Sequence, residues 1–236
     1  LEADVVMENF RPGVMDKLGI GFEVLSAINP RRVDCSVTGF GQTGPRAAEP
    51  AYDFLIQAMG GLVSVTGERD DKPGGGPQKV GVPIVDLTTG VYAALGIVAA
   101  LLRRAQTGQG EYIDVAMLDV QVGLLANQAM NFLLGGRVPR RTGTAHPNIQ
   151  PQRTFACADG DIVIVVGNDA QFATLCEALG QPDLARDARY VSNSQRVKNL
   201  DTLDPLLDAI FITEPRAHWL DLLKRAGVPA GSINTV

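Results

Sequence analysis

The side chain best placed to do chemistry is Asp86. It follows the Gly- and Pro-rich run ERDDKPGGGPQKVGVP and stands immediately before LTTGVYAALGIVAALLRR, an apolar stretch ending in two arginines. A helix predicted to begin at Thr88 would turn its free N-terminal amides toward the carboxylate and stabilise its charge. A carboxylate held in this way is a candidate functional group, and the preceding loop is about as long as functional loops get. The plain alternative is that Asp86 is an ordinary N-cap, since Asp is among the residues preferred there. A second group is ENFRPGVMDKLG, in which Asn9, Phe10, Arg11 and Lys17 cluster about a turn after a strand-like burst. Such turns are where parallel sheets bind ligands, and phosphate would suit this one; a solvated helix start fits the same pattern. Tyr52 and Asp53 form a polar pair entering an apolar segment, which by spacing is a helix start.

Several chemistries lose support. No G-x-x-x-x-G-K-[ST] or strand-linked G-x-G-x-x-G is present, and no G-x-S-x-G elbow, so nucleotide hydrolysis, dinucleotide binding and a serine hydrolase are not indicated. His146 and His218 lie far apart with no partner at ligand spacing, which argues against zinc. His146 reads as a loop residue and His218 as packing. The net charge of −5 disfavours a non-specific nucleic-acid surface. Cys35, Cys157 and Cys176 have no C-x-x-C spacing, so a reducing, cytoplasmic setting is expected. The longest apolar run, Val91 to Leu102, is short of the roughly 20 residues that span a bilayer. It reads as a buried helix, with no membrane partner.

The elements that must position these residues follow from the pattern. Strand-like bursts near Asp4 to Met7, Val33 to Thr38 and Tyr112 to Leu118 alternate with helical stretches, one of them from Tyr52 to Gly61, which predicts an α/β domain with a largely parallel sheet. Asp119 is expected to cap a helix stopping at Gly135-Gly136. Residues 1–136 are thus expected to form part of a large domain, residues 137–152 a polar, Pro-containing linker, and residues 153–236 a small α+β domain with helices near 171–179, 203–211 and 216–225. The opening LEADVVMENF has neither an initiator Met nor a signal-peptide pattern, and suggests a chain cut from a longer protein.

Several long segments in order, ADVVMENFRPGVMDKLG, GFGQTGP, YDFLIQAMGGL, VGVPIVDLTTGVYAALGIVAAL, TGQGEYIDVAMLD, AHPNIQPQ, GNDAQF and AGVPAG, resemble the class III CoA-transferases of the CaiB/BaiF type. The resemblance covers essentially the whole chain. It implies a Rossmann-like large domain plus a small α+β domain in an interlocked homodimer. It further implies Asp86 as the nucleophile that forms an aspartyl intermediate while CoA moves between an acyl-CoA and a free carboxylic acid. Coenzyme A is then a substrate, with no permanently bound cofactor. Asn9, Phe10, Arg11 and Lys17 are implied as CoA contacts, with Lys17 standing where Arg is common, so that the bidentate fork is lost. Pro50, Ala51, Tyr52 and Asp53 are implied along the pantetheine and acyl site, and Met117, in the strand before Asp119, as another cofactor-lining position. The family also includes racemases, which place a His where this chain has Tyr52; a phenol with an ordinary pKa near 10 is a poor base at neutral pH. The racemase is therefore the alternative within the family, and an inactive truncated fragment the alternative outside it.

Overall fold

The computed structural model describes residues 3–236 and divides into two compact units, Leu1–Arg141 and Thr142–Val236. In the first, β1 (Val5–Glu8) leads through α1 (Val14–Lys17) and α2 (Phe22–Ile28) to β2 (Val33–Thr38). The chain then passes through α3 (Asp53–Met59), α4 (Leu62–Val65) and α5 (Ile84–Thr107) to β3 (Tyr112–Ala116), followed by α6 (Met117–Leu124) and α7 (Ala126–Gly135). The strands form a parallel sheet in the order β1-β2-β3, with Val5 opposite Val33 and Asp34 opposite Tyr112. A mixed α/β chain with a parallel sheet is thus what the alternation of strand and helix signals specified.

The two faces of the sheet differ. Cys35 and Val37 of β2 pack with Ile113 and Val115 of β3 against Ala93 and Ile97 of α5 and Val120 of α6. On its alternate positions β2 carries Asp34, Ser36 and Thr38, all buried and all polar. Asp34 is held by Arg32, whose Nε and Nη2 donate to one carboxylate oxygen at 2.9 and 2.7 Å. Parallel strands are usually apolar on both faces because helices cover both, and β2 follows that rule on one face alone.

α5 departs from the expected buried helix. Its small residues face the unit's own core, with Val85, Thr89, Ala93 and Ala100 buried and Gly96 close against Ile113. Its large apolar side chains, Leu87, Val91, Leu95, Val98 and Leu102, are exposed. At 24 residues the helix also outruns its longest apolar stretch, and by length and composition alone it could cross a membrane. Its contacts with α3, α6, β2 and β3 are those of a helix packed on a sheet.

The second unit is built on an antiparallel sheet, β4 (Gln152–Cys157), β5 (Gly160–Val165) and β6 (Ala230–Ser232), in that order. Helices α8 (Asp169–Ala178), α9 (Asn193–Lys198), α10 (Leu200–Phe211) and α11 (Arg216–Ala226) accompany it. β6 and α9 have no strong periodic signal and escaped the sequence reading. The core centres on Phe211, whose ring lies 4.7 Å from that of Phe155 and 5.1 Å from that of Trp219. The Trp219 indole donates to the Phe211 carbonyl at 2.7 Å. His146 accepts from the Asn148 amide in a loop, as expected, whereas His218 is exposed and touches the ring of its neighbour Trp219 edge-on. Phe211→Ala is expected to cost about 3–5 kcal/mol, since a ring is removed from a core unable to close the gap; urea unfolding should show a lower midpoint with an unchanged slope.

Candidate active site

A cleft of about 780 Å³ lies at the carboxyl ends of the parallel strands. Met7 to Pro12 line it from the end of β1 onward, and Val37, Thr38 and Gly39 from the end of β2. Ala47 and Glu49 to Tyr52 line it from the approach to α3, Asp86, Thr89 and Gly90 from the first turns of α5, and Met117 from the start of α6. This is the edge at which open parallel sheets bind ligands, because strand ends and helix N-termini converge there.

Polar bonds at the strand ends shape it. The Glu8 carboxylate accepts from the Phe10 amide at 2.6 Å and from the Ser36 hydroxyl, which fixes the turn carrying Asn9 to Arg11. Gln42 donates to Ser36 Oγ at 2.6 Å through its side chain and to Asp114 at 2.8 Å through its backbone, tying the loop after β2 to β3. Gly39 permits the close approach of the next segment: a Cβ there would sit 2.1 Å from that of Ala51. Pro50, Ala51 and Tyr52 can reach the cleft wall because Gly39 has no side chain.

Asp86 is not the N-cap. The helix begins at Ile84, so Asp86 is its third residue, inside the first turn. The capping acceptor comes from α3: Asp53 Oδ2 accepts from the amides of Val85 at 2.8 Å and Asp86 at 3.2 Å. Asp53 Oδ1 accepts from the Gln57 side chain, whose own oxygen accepts from the Val80 amide at 3.0 Å. One carboxylate thereby joins α3, the end of the Gly-rich loop and the start of α5. The Asp86 carboxylate accepts no hydrogen bond from the described residues. Burial pushes its carboxyl above the ordinary range, and the Asp53 charge pushes in the same direction.

Residues 1–236 match the family described as CoA-transferase family III. The chain belongs to this family. It is 43% identical over 234 residues to a succinate–glutarate CoA-transferase of Agrobacterium fabrum, covering 99% of this chain and 58% of that one. It is 45% identical over 233 residues to an acetyl-CoA:oxalate CoA-transferase of Acetobacter aceti, covering 98% and 59%. A CaiB/BaiF family protein from Brucella suis superposes with a TM-score of 0.83 at 49% identity, over 99% of this chain and 61% of that one. The chain thus spans about three fifths of the length of the relatives it matches.

Of the residues implied by the family III resemblance, Asn9, Phe10, Arg11, Pro50, Ala51, Tyr52, Asp86 and Met117 share the cleft. Tyr52 is 80% exposed, so its ring is open to a ligand instead of packed in the core. Lys17 and Asp53 do not line it: Lys17 ends α1, and the Asp53 carboxylate is directed onto the α5 amides. Met117 opens α6 and is not part of a strand, because β3 ends at Ala116; Asp119 accordingly lies inside that helix. The loop from Glu68 to Pro83 lacks regular structure, as expected, but none of it lines the cleft. Its own backbone bonds fold it back, Gln78 N to Thr66 O at 2.9 Å among them, and Arg141 pairs with Asp70. Thr38, Thr89 and Gly90 were not anticipated. The spacing from Asp86 held the signal for the last two, since positions three and four onward share its helix face.

Two stability effects follow. Asp53→Ala should cost about 1–2 kcal/mol by leaving the α5 amides uncapped, while Asp53→Asn, which keeps an acceptor, should cost less; thermal unfolding of the pair tests the capping role. A raised Asp86 pKa favours the protonated form in the folded chain, so this stability contribution is present below the unfolded pKa and lost as pH rises through the folded one. Asp86→Asn should therefore unfold at a slightly higher temperature than wild type at pH 7, by less than about 1 kcal/mol given solvent screening, with the difference vanishing near pH 3.

Proposed function

We propose that this chain carries the reacting centre of a family III CoA-transferase, in which the Asp86 carboxylate attacks an acyl-CoA thioester and passes CoA to a second carboxylic acid. The observation that carries the reading is the Asp86 carboxylate itself: unbonded, in the first turn of a capped helix, and facing a cleft at the carboxyl edge of a parallel sheet. A carboxylate is a weak nucleophile, but the anhydride it forms is as activated as the thioester it replaces, so one difficult exchange becomes two easier ones. The elevated pKa helps, because a more basic carboxylate is a better nucleophile once ionised. Arg11 is the cationic side chain among the described lining residues and is the group suited to CoA phosphate. Asn9, Phe10, Pro50, Ala51, Tyr52 and Met117 supply the remaining wall for pantetheine and acyl group, while Asp53 acts by holding Asp86 and α5 in place.

The named activities of the relatives support short carboxylic acids, dicarboxylates among them, as the exchanging acids. The exposed apolar stripe of α5 supports a homodimer, since Leu87, Val91, Leu95, Val98 and Leu102 are the kind of surface that association buries. Three buried, unpaired cysteines are in keeping with a reducing, cytoplasmic setting.

In a preparation containing residues 1–236, Asp86→Asn should retain CoA binding by calorimetry and lose transfer by at least about 10³-fold. Hydroxylamine added during turnover of succinyl-CoA with glutarate should convert Asp86 to a hydroxamate seen by peptide mass spectrometry; a variant that transfers CoA at a near-normal rate, with no adduct in wild type, overturns the assignment. The racemase chemistry is tested separately with a chiral 2-methylacyl-CoA in deuterated water, where the expected result is no rapid exchange at the α-carbon. Transfer should also rise with pH through the elevated Asp86 pKa and level off above it, which a pH–rate profile measures directly.

A further inference from the structure

The wall of the cleft contains a hydroxyl that no described residue satisfies. Thr89 is 1% exposed and lines the cleft, and its Oγ1 has no hydrogen-bond partner. Its neighbour shows what a helical threonine ordinarily does: Thr88 Oγ1 donates back to the Ile84 carbonyl at 2.6 Å. The equivalent acceptor for Thr89 is the Val85 carbonyl, and that bond is not made. A buried hydroxyl without a partner costs about 1–3 kcal/mol, a cost relieved when a ligand brings an acceptor.

The position of Thr89 says which part of a ligand that is. Thr89 follows Asp86 by three residues on α5, so the two side chains share one helix face one turn apart. Neither bonds to the other, and both face the same cleft. Gln121 and Arg32 also bury unpartnered polar atoms, but neither lines this cleft. Resting on the reading of Asp86 as the nucleophile, we propose that Thr89 is a further catalytic residue, whose hydroxyl donates a hydrogen bond to the acyl carbonyl oxygen while its carbon is tetrahedral.

In that step an Asp86 oxygen bonds to the thioester carbon and the carbonyl electron pair moves onto oxygen, where the Thr89 hydroxyl meets it. The pair returns as the carbon–sulfur bond breaks, leaving a mixed anhydride on Asp86 and CoA thiolate. The thiolate attacks the aspartyl carbonyl and expels the donor carboxylate, giving an aspartyl-CoA thioester. The acceptor acid repeats the sequence in reverse and restores Asp86. Thr89 keeps its proton throughout, so its contribution is to charge stabilisation.

The test compares Thr89→Val, which keeps shape and removes the hydroxyl, with Thr89→Ser, which keeps the hydroxyl. With succinyl-CoA and glutarate, Thr89→Val is expected to lose on the order of 10²–10³ in kcat with KM changed less than about twofold, the pattern of a bond made only in the transition state. Thr89→Ser should stay within about fivefold of wild type. A packing role predicts the reverse, an active Thr89→Val and a weakened Thr89→Ser. Either a kcat for Thr89→Val close to wild type, or a loss confined to KM, overturns the proposal. If Thr89→Val does not fold, Thr89→Ala takes its place: rescue of its lost rate in Thr89→Ser supports the role, and equal rates for the two overturn it. Hydroxylamine trapping separates the two claims. No adduct at Asp86 in wild type defeats the nucleophile reading itself, whereas an adduct that forms as fast in Thr89→Val as in wild type defeats only the role given to Thr89.

Discussion

The site depends on one carboxylate that does not face it. Asp53 accepts from the amides of Val85 and Asp86 and from Gln57, and Gln57 in turn holds Val80. Without that anchor the start of α5 would present unpaired amides after a long irregular loop, leaving the packing of Val85 with Ile56 and Met117 to hold its first turn. Because Asp86 lies inside that turn, the direction of its side chain is set by the helix and not by the loop. The same carboxylate acts electrostatically: Asp53 lies near enough to raise the Asp86 pKa, in the sense that burial also raises it. Anchoring and tuning therefore come from one group, and a substitution at Asp53 alters both.

The arrangement of small and large residues on α5 is the second constraint. Ala93, Gly96 and Ala100 let the helix lie close on the sheet, while the bulky residues face outward. A helix in an ordinary domain does the opposite. The polar alternate face of β2 is by contrast buried within the unit, where its bonds are made to Arg32, Glu8, Gln42 and Gly41 in place of an apolar layer. The apolar stripe of α5 is surface that the described unit does not bury by itself, and this is why a homodimer is the assembly proposed above.

Close backbone approach is the third. Gly39 has to lack a Cβ for Ala51 to sit where it does, and the Leu118 amide donates to the Gly39 carbonyl at 3.0 Å, bringing the start of α6 to the same place. The segment before α3 and the residue that opens α6 thus meet at the end of β2. Tyr52 and Met117 reach one cleft because of this junction, although they lie far apart in the chain.

Local pattern was enough to read much of this from the sequence. Alternating strand and helix signals specified the parallel sheet, the turn after β1 drew attention to Asn9 to Arg11, which line the cleft, and a chain of long ordered motifs indicated family III. These are properties of neighbouring residues, which set backbone conformation and periodicity directly. Tertiary structure alone decided that α5 starts at Ile84, that Asp53 caps it from 32 residues away, that Lys17 lies outside the cleft and that the Gly-rich loop is folded on itself. It also decided that Thr88 is satisfied within its helix while Thr89 is not. Each of these depends on which groups meet across space, and a hydrogen bond between distant segments leaves no trace in the spacing of either one.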